Sequence, residues 1–287
     1  MTTVAQSTTE LNATSRRPEN VQSTSAWRRR LMIGVVVAYA ALLILAPLAA
    51  LVSGAFAKGI GASLQALSDP AVFSAFLLTL KIAFLTVIVH GLLGTVLAWV
   101  LVRYRFRGHW LLNGVIDLPF AVSPVVVGYM LLLLFGRTGL FAPLLEALNL
   151  KVAFAVPGMI LATLFVTLPF MAREVMPVLE SFGVEQEHAA ATLGASGWQT
   201  FWMVTFPALR WGFIYGVILT FARALGEFGA VLVVGGGIQG RTETLTLFIY
   251  RALDERQYVG AYSAAMVLGL LSLVLVIGTE LLRKREK

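Results

Sequence analysis

An all-α, polytopic membrane protein with six transmembrane helices is the fold class that this chain of 287 residues predicts. Three observations carry the prediction. Apolar residues make up 58% of the chain and charged residues only 13%, far below the roughly 25% charge of soluble domains. The mean hydropathy is +0.83. Six apolar runs, 31–52, 73–102, 110–135, 152–179, 208–234 and 259–282, reach the ~20 residues a helix needs to cross a bilayer at ~1.5 Å rise per residue. The formal charge of +7 and a pI near 10.0 would point to nucleic acid if the basic residues formed one surface. They collect instead at the ends of the apolar runs and read as topology signals, with no nucleic-acid partner. An even number of crossings puts both termini on one side. Between and beyond the spans, with Arg173 and Arg210 in the immediate flanks of 180–207 included, 14 Lys and Arg lie on the side of the termini and 6 on the other, so the termini are expected to be cytoplasmic.

Residues 1–26 are rich in Ser, Thr, Asn and Gln, bury too little to offset ordering entropy, and are expected to form a disordered cytoplasmic tail. Arg28, Arg29 and Arg30 precede the first run, and "AFA" at 55–57 imitates a signal-peptidase site. The run is 22 residues long, against ~7–15 for a signal core, so it reads as an uncleaved first span and the permeating domain as 27–287. The third run carries Asp117, Pro119 and Pro124 in "IDLPFAVSPVVVG", and the fourth Pro157 and Pro169. Proline frees backbone groups that only protein or a watery cavity can satisfy; either these spans line something, or they carry proline as membrane helices commonly do.

Between the fourth and fifth runs lies "EHAAATLGASGWQTFWMVTFP", Glu187 to Pro207. Residues 185–193 favour helix, Gly194 suits a left-handed C-terminal position, and Ser196 with Gln199 forms a capping box that opens a second short helix. Pro207 suits the first turn of the next span. Two short helices at an angle are expected, the first made slim by Ala189, Ala190 and Ala191. A slim helix inserts into a partner's cleft; the alternative, an amphipathic helix resting on lipid, calls for a Lys and Arg face, whereas 180–187 is acidic. In "ARALGEFGAV", Arg223 and Glu227 are spaced i, i+4 and predicted to pair, with Ala222, Gly226 and Gly229 as a small-residue face for close helix approach. Ionisable groups inside a membrane mark a pathway or a partner contact, so the pair either locks the span or touches an anion.

Enzyme chemistry finds no footing. There is no G-x-x-x-x-G-K-[ST] phosphate loop, no cysteine, and three histidines, His90, His109 and His188, without H-E-x-x-H or a nucleophile elbow. No catalytic residue, metal ligand or cofactor is assigned.

"HAAATLGASGWQTFWMVTFP" resembles the cytoplasmic loop of bacterial ATP-binding-cassette importer permeases, in which Glu-Ala-Ala is followed at fixed spacing by glycine, an aliphatic residue and Leu-Pro. Ala189, Ala190, Gly194, Val204 and Pro207 match; His188 stands where that family has Glu, and Phe206 where it has Leu. "DLPFAVSPVVVGYMLLLLFG" and "LTFARALGEFGAVLVVGGGIQGRTETL" are similar to the sulfate/thiosulfate importer permeases, CysW-type subunit, with molybdate permeases sharing the second phrase. The resemblance implies a type I importer permease fold whose coupling loop at about 180–207 meets an ATPase through Glu187, His188, Ala189, Ala190, Gly194, Val204 and Pro207. Ser123 and Pro124 of "AVSP", with Arg223 and Glu227, are the candidates for the translocation path. It also implies a second permease subunit in a heterodimer, two cytoplasmic ATP-binding subunits and an extracytoplasmic sulfate-binding protein, besides membrane lipid. A lone ion-coupled carrier, the rival class, calls for inverted repeats, and no internal repeat is visible.

Overall fold

The computed structural model describes residues 26–284, and among them there is no strand. The tail expected over 1–26 lies, Ala26 apart, outside the described residues. In chain order the helices are α1 (Ala26–Ala55), α2 (Ile60–Leu67), α3 (Pro70–Val89), α4 (Thr95–Arg103), α5 (His109–Ala121), α6 (Pro124–Phe135), α7 (Ala142–Ala147), α8 (Val156–Phe182), α9 (Glu185–Thr192), α10 (Gly197–Thr200), α11 (Phe206–Leu225), α12 (Gly229–Gly235), α13 (Leu245–Asp254) and α14 (Tyr258–Lys284). By internal contacts, the chain up to Ala50 is one unit and the chain from Leu51 a second.

Among the described residues, five helices are long and apolar enough to span: Trp27–Ala55, Pro70–Arg103, Val156–Phe182, Gly197–Leu225 and Tyr258–Leu281. The expected third span is not one straight helix. It is the pair α5 and α6, bent by 114°. Val122 (φ −95°, ψ 130°) and Ser123 (φ −59°, ψ 136°) are extended, as the residue before a proline must be, and Pro124 then opens α6 with its fixed φ and missing N–H. The expected fifth span differs as well. Its helix begins at Gly197, passes through a π-turn over Phe201–Thr205 and stops at Leu225; residues 229–235 form the separate α12. The second short helix of the Glu187–Pro207 stretch is therefore the first turn of this span rather than an independent element. A matching π-turn, His90–Gly94, joins α3 to α4.

Of the five long helices α8 is the most buried, with 56% of its apolar window covered. Its first half packs Met159, Ala162 and Val166 against Val127 of α6 and Val231 of α12, and its second half packs Met171, Val175 and Leu179 against Leu101 of α4 and Leu209 of α11. Lipid is as apolar as these side chains, so their association depends on close approach rather than water exclusion. The small-residue face that allows it includes Gly212 and Gly216, while the expected Gly226 does not serve. A Cβ on Gly216 would sit 2.5 Å from Met171 Sδ, and one on Gly212 2.9 Å from the Glu174 carbonyl. Gly226 has only its own helix's Arg223 carbonyl within 4 Å. Gly229 does serve as expected, since a Cβ there would lie 3.3 Å from Pro124 Cβ, which seats α12 on the start of α6.

Candidate functional site: a clamped elbow and a broken-helix concavity

The elbow from α9 to α10 is built by local signals. Gly194 has φ +87°; its N–H donates to the Ala191 carbonyl (3.0 Å) and the Ala195 N–H to the Ala190 carbonyl (3.1 Å). These two bonds are the Schellman pattern that satisfies carbonyls left open at a helix end. Two residues on, the capping box closes. Gln199 N–H donates to Ser196 Oγ (3.3 Å) and Ser196 N–H to Gln199 Oε1 (2.8 Å). Nothing lies within 4 Å of a Cβ built on Gly194, so a side chain there meets backbone strain alone. We expect Gly194→Val to cost about 1–3 kcal/mol in backbone strain and to misalign α9, with transport falling severalfold while membrane insertion persists. Gly194→Asn, which tolerates this conformation, should retain most activity in the same uptake assay. Equal activity of the two variants would remove the conformational role of Gly194.

The clamp comes from outside the stretch. Arg103, at the end of α4, donates from Nε to Glu187 Oε2 (3.1 Å) and from Nη2 to Glu187 Oε1 (3.0 Å). It also donates to the carbonyls of Leu179 (3.1 Å) and Gly183 (2.6 Å) at the end of α8, where a cation suits the open carbonyls and the helix dipole. Thr205 Oγ1, in the π-turn, donates to Glu187 Oε1 at 2.9 Å. The guanidinium thus ties together the ends of α4 and α8 and the first turn of α9, and the Glu187 carboxylate in turn holds Thr205 in the π-turn that leads into α11. The pair is nearly buried, with side chains 9% and 15% exposed. Glu187 points into the protein, whereas His188, Ala189, Gly194 and Pro207 are exposed and Ala190 and Val204 half-buried. Leu193 and Met203 stand open beside them. Arg103 and Thr205 were not singled out from the sequence: Arg103 counted only as a topology charge, and its partner lies 84 positions away.

The second site lies where two helices break. Glu227 is not in the same helix as Arg223, since α11 ends at Leu225 with Gly226 as its cap, yet the two form an ion pair, Nη1 to Oε2 at 2.8 Å. The contact is a charge contact without hydrogen-bond alignment. Glu227 Oε1 accepts from the Ala230 N–H (3.0 Å) and so caps α12, while its backbone carbonyl accepts from Thr246 Oγ1 (2.7 Å). Glu227 is buried; the Arg223 side chain is 29% exposed. It opens into a concavity of about 410 Å³ lined by Phe120, Ser123, Pro124, Val166 and Phe170. Arg223, Ser123 and Pro124, chosen from separate stretches, thus share one wall, with Glu227 behind it. The Ser123 side chain caps nothing. The Nε2 atoms of His90 and His109 lie 2.9 Å from the Leu164 carbonyl and 2.8 Å from the Leu101 carbonyl.

An all-helical membrane chain with an inward clamp, an exposed elbow and a cationic concavity has the architecture of an importer permease. Residues 90–287 match the family described as binding-protein-dependent transport system inner membrane component, and the chain belongs to that family, in its CysW-type branch. The chain is 48% identical over 254 residues to a protein of Synechococcus elongatus named sulfate transport system permease protein CysW, covering 88% of this chain and 89% of the relative. The protein of that name from Escherichia coli K12 is 42% identical over 277 residues, covering 96% and 93%, and sulfate permease 2, chloroplastic, of Chlamydomonas reinhardtii is 51% identical over 247, covering 86% and 67%. A bacterial ABC transporter that imports the acidic polysaccharide alginate has a chain that superposes with a TM-score of 0.75 over 90% of this chain and 96% of its own, at 18% identity. That likeness establishes the type I importer permease fold.

Proposed function

We propose that this chain is the CysW-type permease subunit of an ATP-driven importer of sulfate or thiosulfate in the inner membrane. The observation that carries the reading is the 42–51% identity, over 86–96% of the chain, to proteins named sulfate permeases. A cationic wall where two helices break supports it. Without a phosphate loop of its own, the chain leaves ATP hydrolysis to two cytoplasmic subunits, which dock on the elbow at His188, Ala189 and Gly194. Glu187, Ala190, Val204 and Pro207 support that surface from within and at its edge. A second permease of the CysT-named kind, to whose Escherichia coli K12 member this chain is 38% identical, completes the path as a heterodimer, and an extracytoplasmic sulfate-binding protein delivers the anion.

With the bent pair counted as one crossing, both termini and the elbow are cytoplasmic. Reporter fusions at Arg105 and Ser196 should read inside and one at Gly139 outside; an external Ser196 would remove the ATPase docking. The functional test is radiolabelled sulfate uptake by proteoliposomes holding all subunits, with ATP inside and the binding protein outside. Uptake should be saturable, ATP-dependent and competed by thiosulfate. Competition by molybdate alone would reassign the substrate.

A further inference from the structure

An ion pair lies on the seam between α5 and α8, one helical turn beyond the concavity that Arg223 lines. Arg173 Nε donates to Asp117 Oδ1 (2.8 Å) and Nη2 to Oδ2 (2.5 Å), while Nη2 also donates to the Asn113 carbonyl (3.3 Å). The side chains of Arg173 and Asp117 remain 32% and 47% exposed. Phe170, one turn before Arg173, and Phe120, nearly one turn after Asp117, meet edge to face at 5.5 Å, and both also line the concavity. Pair and concavity therefore share one continuous seam.

Arg173 is nine residues before the end of α8 at Phe182, about 14 Å along the axis, and inside the apolar run read as the fourth span. Charges at that depth face a protein interior or a water-filled path. The guanidinium is also incompletely used. Its Nη1 has only Met176 Sδ at 3.8 Å, which leaves donors for an oxyanion, and a guanidinium fork matches oxyanion geometry. The carboxylate does two things: it fixes the fork with two bonds and it cancels the charge. A bare arginine in a low-dielectric path would trap a divalent anion; one already neutralised offers hydrogen bonds without a deep well. Arg223, backed by Glu227, repeats the device at the concavity that Phe120 and Phe170 also line.

We propose that Arg173 is a second anion contact of the translocation path, held in place by Asp117 as its positioning residue, with a tetrahedral divalent oxyanion as ligand. The proposal deepens the reading of the chain as an oxyanion permease and rests on it. The test uses the complete transporter in proteoliposomes, with radiolabelled sulfate and ATP hydrolysis read separately. Asp117→Asn with Arg173→Gln leaves no unpaired charge, so the complex should assemble and its binding protein should still stimulate ATP hydrolysis, while sulfate uptake falls at least tenfold. Arg173→Lys keeps the cation and loses the fork; its KM for uptake should rise at least threefold. Asp117→Asn alone should lower both KM and kcat, since the anion is held harder and released more slowly. Normal uptake by the double variant, an unchanged KM in Arg173→Lys, or full activity with the charges exchanged (Asp117→Arg with Arg173→Asp) would each overturn it, because a purely structural pair behaves in those ways. If the unaltered transporter moves molybdate but not sulfate, the sulfate reading fails, and the same variants assayed with molybdate still decide Arg173.

Discussion

Glu187→Ala should abolish coupled transport. The carboxylate accepts two bonds from Arg103 and one from Thr205, and the guanidinium it balances has a side chain only 9% exposed. Removing one partner of a nearly buried pair costs about 3 kcal/mol or more, because the other charge stays behind unpaired. The lost acceptor of Thr205 adds about 1 kcal/mol. Arg103 keeps its bonds to the Leu179 and Gly183 carbonyls, so the end of α8 stays capped and the chain should still insert and fold. What comes loose is α9, which is no longer tied to α4 and α8 and, on the proposed docking of ATPase subunits at the elbow, would no longer move with them. We therefore expect sulfate uptake to fall at least a hundredfold while ATP-binding subunits still copurify in part. Glu187→Gln retains the oxygen for Thr205 and one N–H of Arg103, and should fall between the two. Full uptake by Glu187→Ala would show that transport does not depend on the clamp.

The clamp also explains what was legible in the sequence. Gly194, Ser196 and Gln199 could be read in place because a left-handed glycine and a capping box are decided within a few residues. Pro124 was noted in the sequence together with Pro119, Pro157 and Pro169, but that the helix breaks before Pro124, and by 114°, was not legible. A hydropathy window counts apolar residues and is blind to the direction in which they run. Span five shows the converse: its apolar run continues to residue 234, yet the helix ends at Leu225. The Arg223 and Glu227 pair was found by a rule for continuous helices, and it survives the break because Gly226 turns the chain back within reach. Arg103 with Glu187 and Asp117 with Arg173 join positions 84 and 56 apart. No local pattern reports which distant charges meet. Tertiary packing alone chooses among the partners, so Arg173, a flank charge by position, became visible only with α5 beside it.

Arg223→Gln combined with Glu227→Gln should give a transporter that assembles and does not transport. Each single change isolates a different part of the site. Glu227→Ala removes the acceptor that caps α12 at the Ala230 N–H, worth about 1 kcal/mol. It also leaves Arg223 facing a broken helix without its counter-charge, a further cost of up to about 3 kcal/mol, lessened because the side chain is 29% exposed and can reach water. Assembly of this variant should drop by more than half. Glu227→Gln keeps an oxygen for the cap, so it should assemble better than Glu227→Ala, but the bare Arg223 then holds the anion too firmly and uptake slows at saturating sulfate. In the double variant the cap is retained and no charge is stranded, so folding has no reason to fail. The wall of the concavity, however, now offers an amide where it offered a guanidinium. If the pair were only a lock between α11 and α12, this neutral version would restore transport along with assembly. If Arg223 is a contact for the moving anion, assembly and binding-protein-stimulated ATP hydrolysis return while uptake stays at least tenfold low. The exposure of Arg223 toward Ser123 and Pro124, with Glu227 buried behind it, is the reason the second outcome is expected.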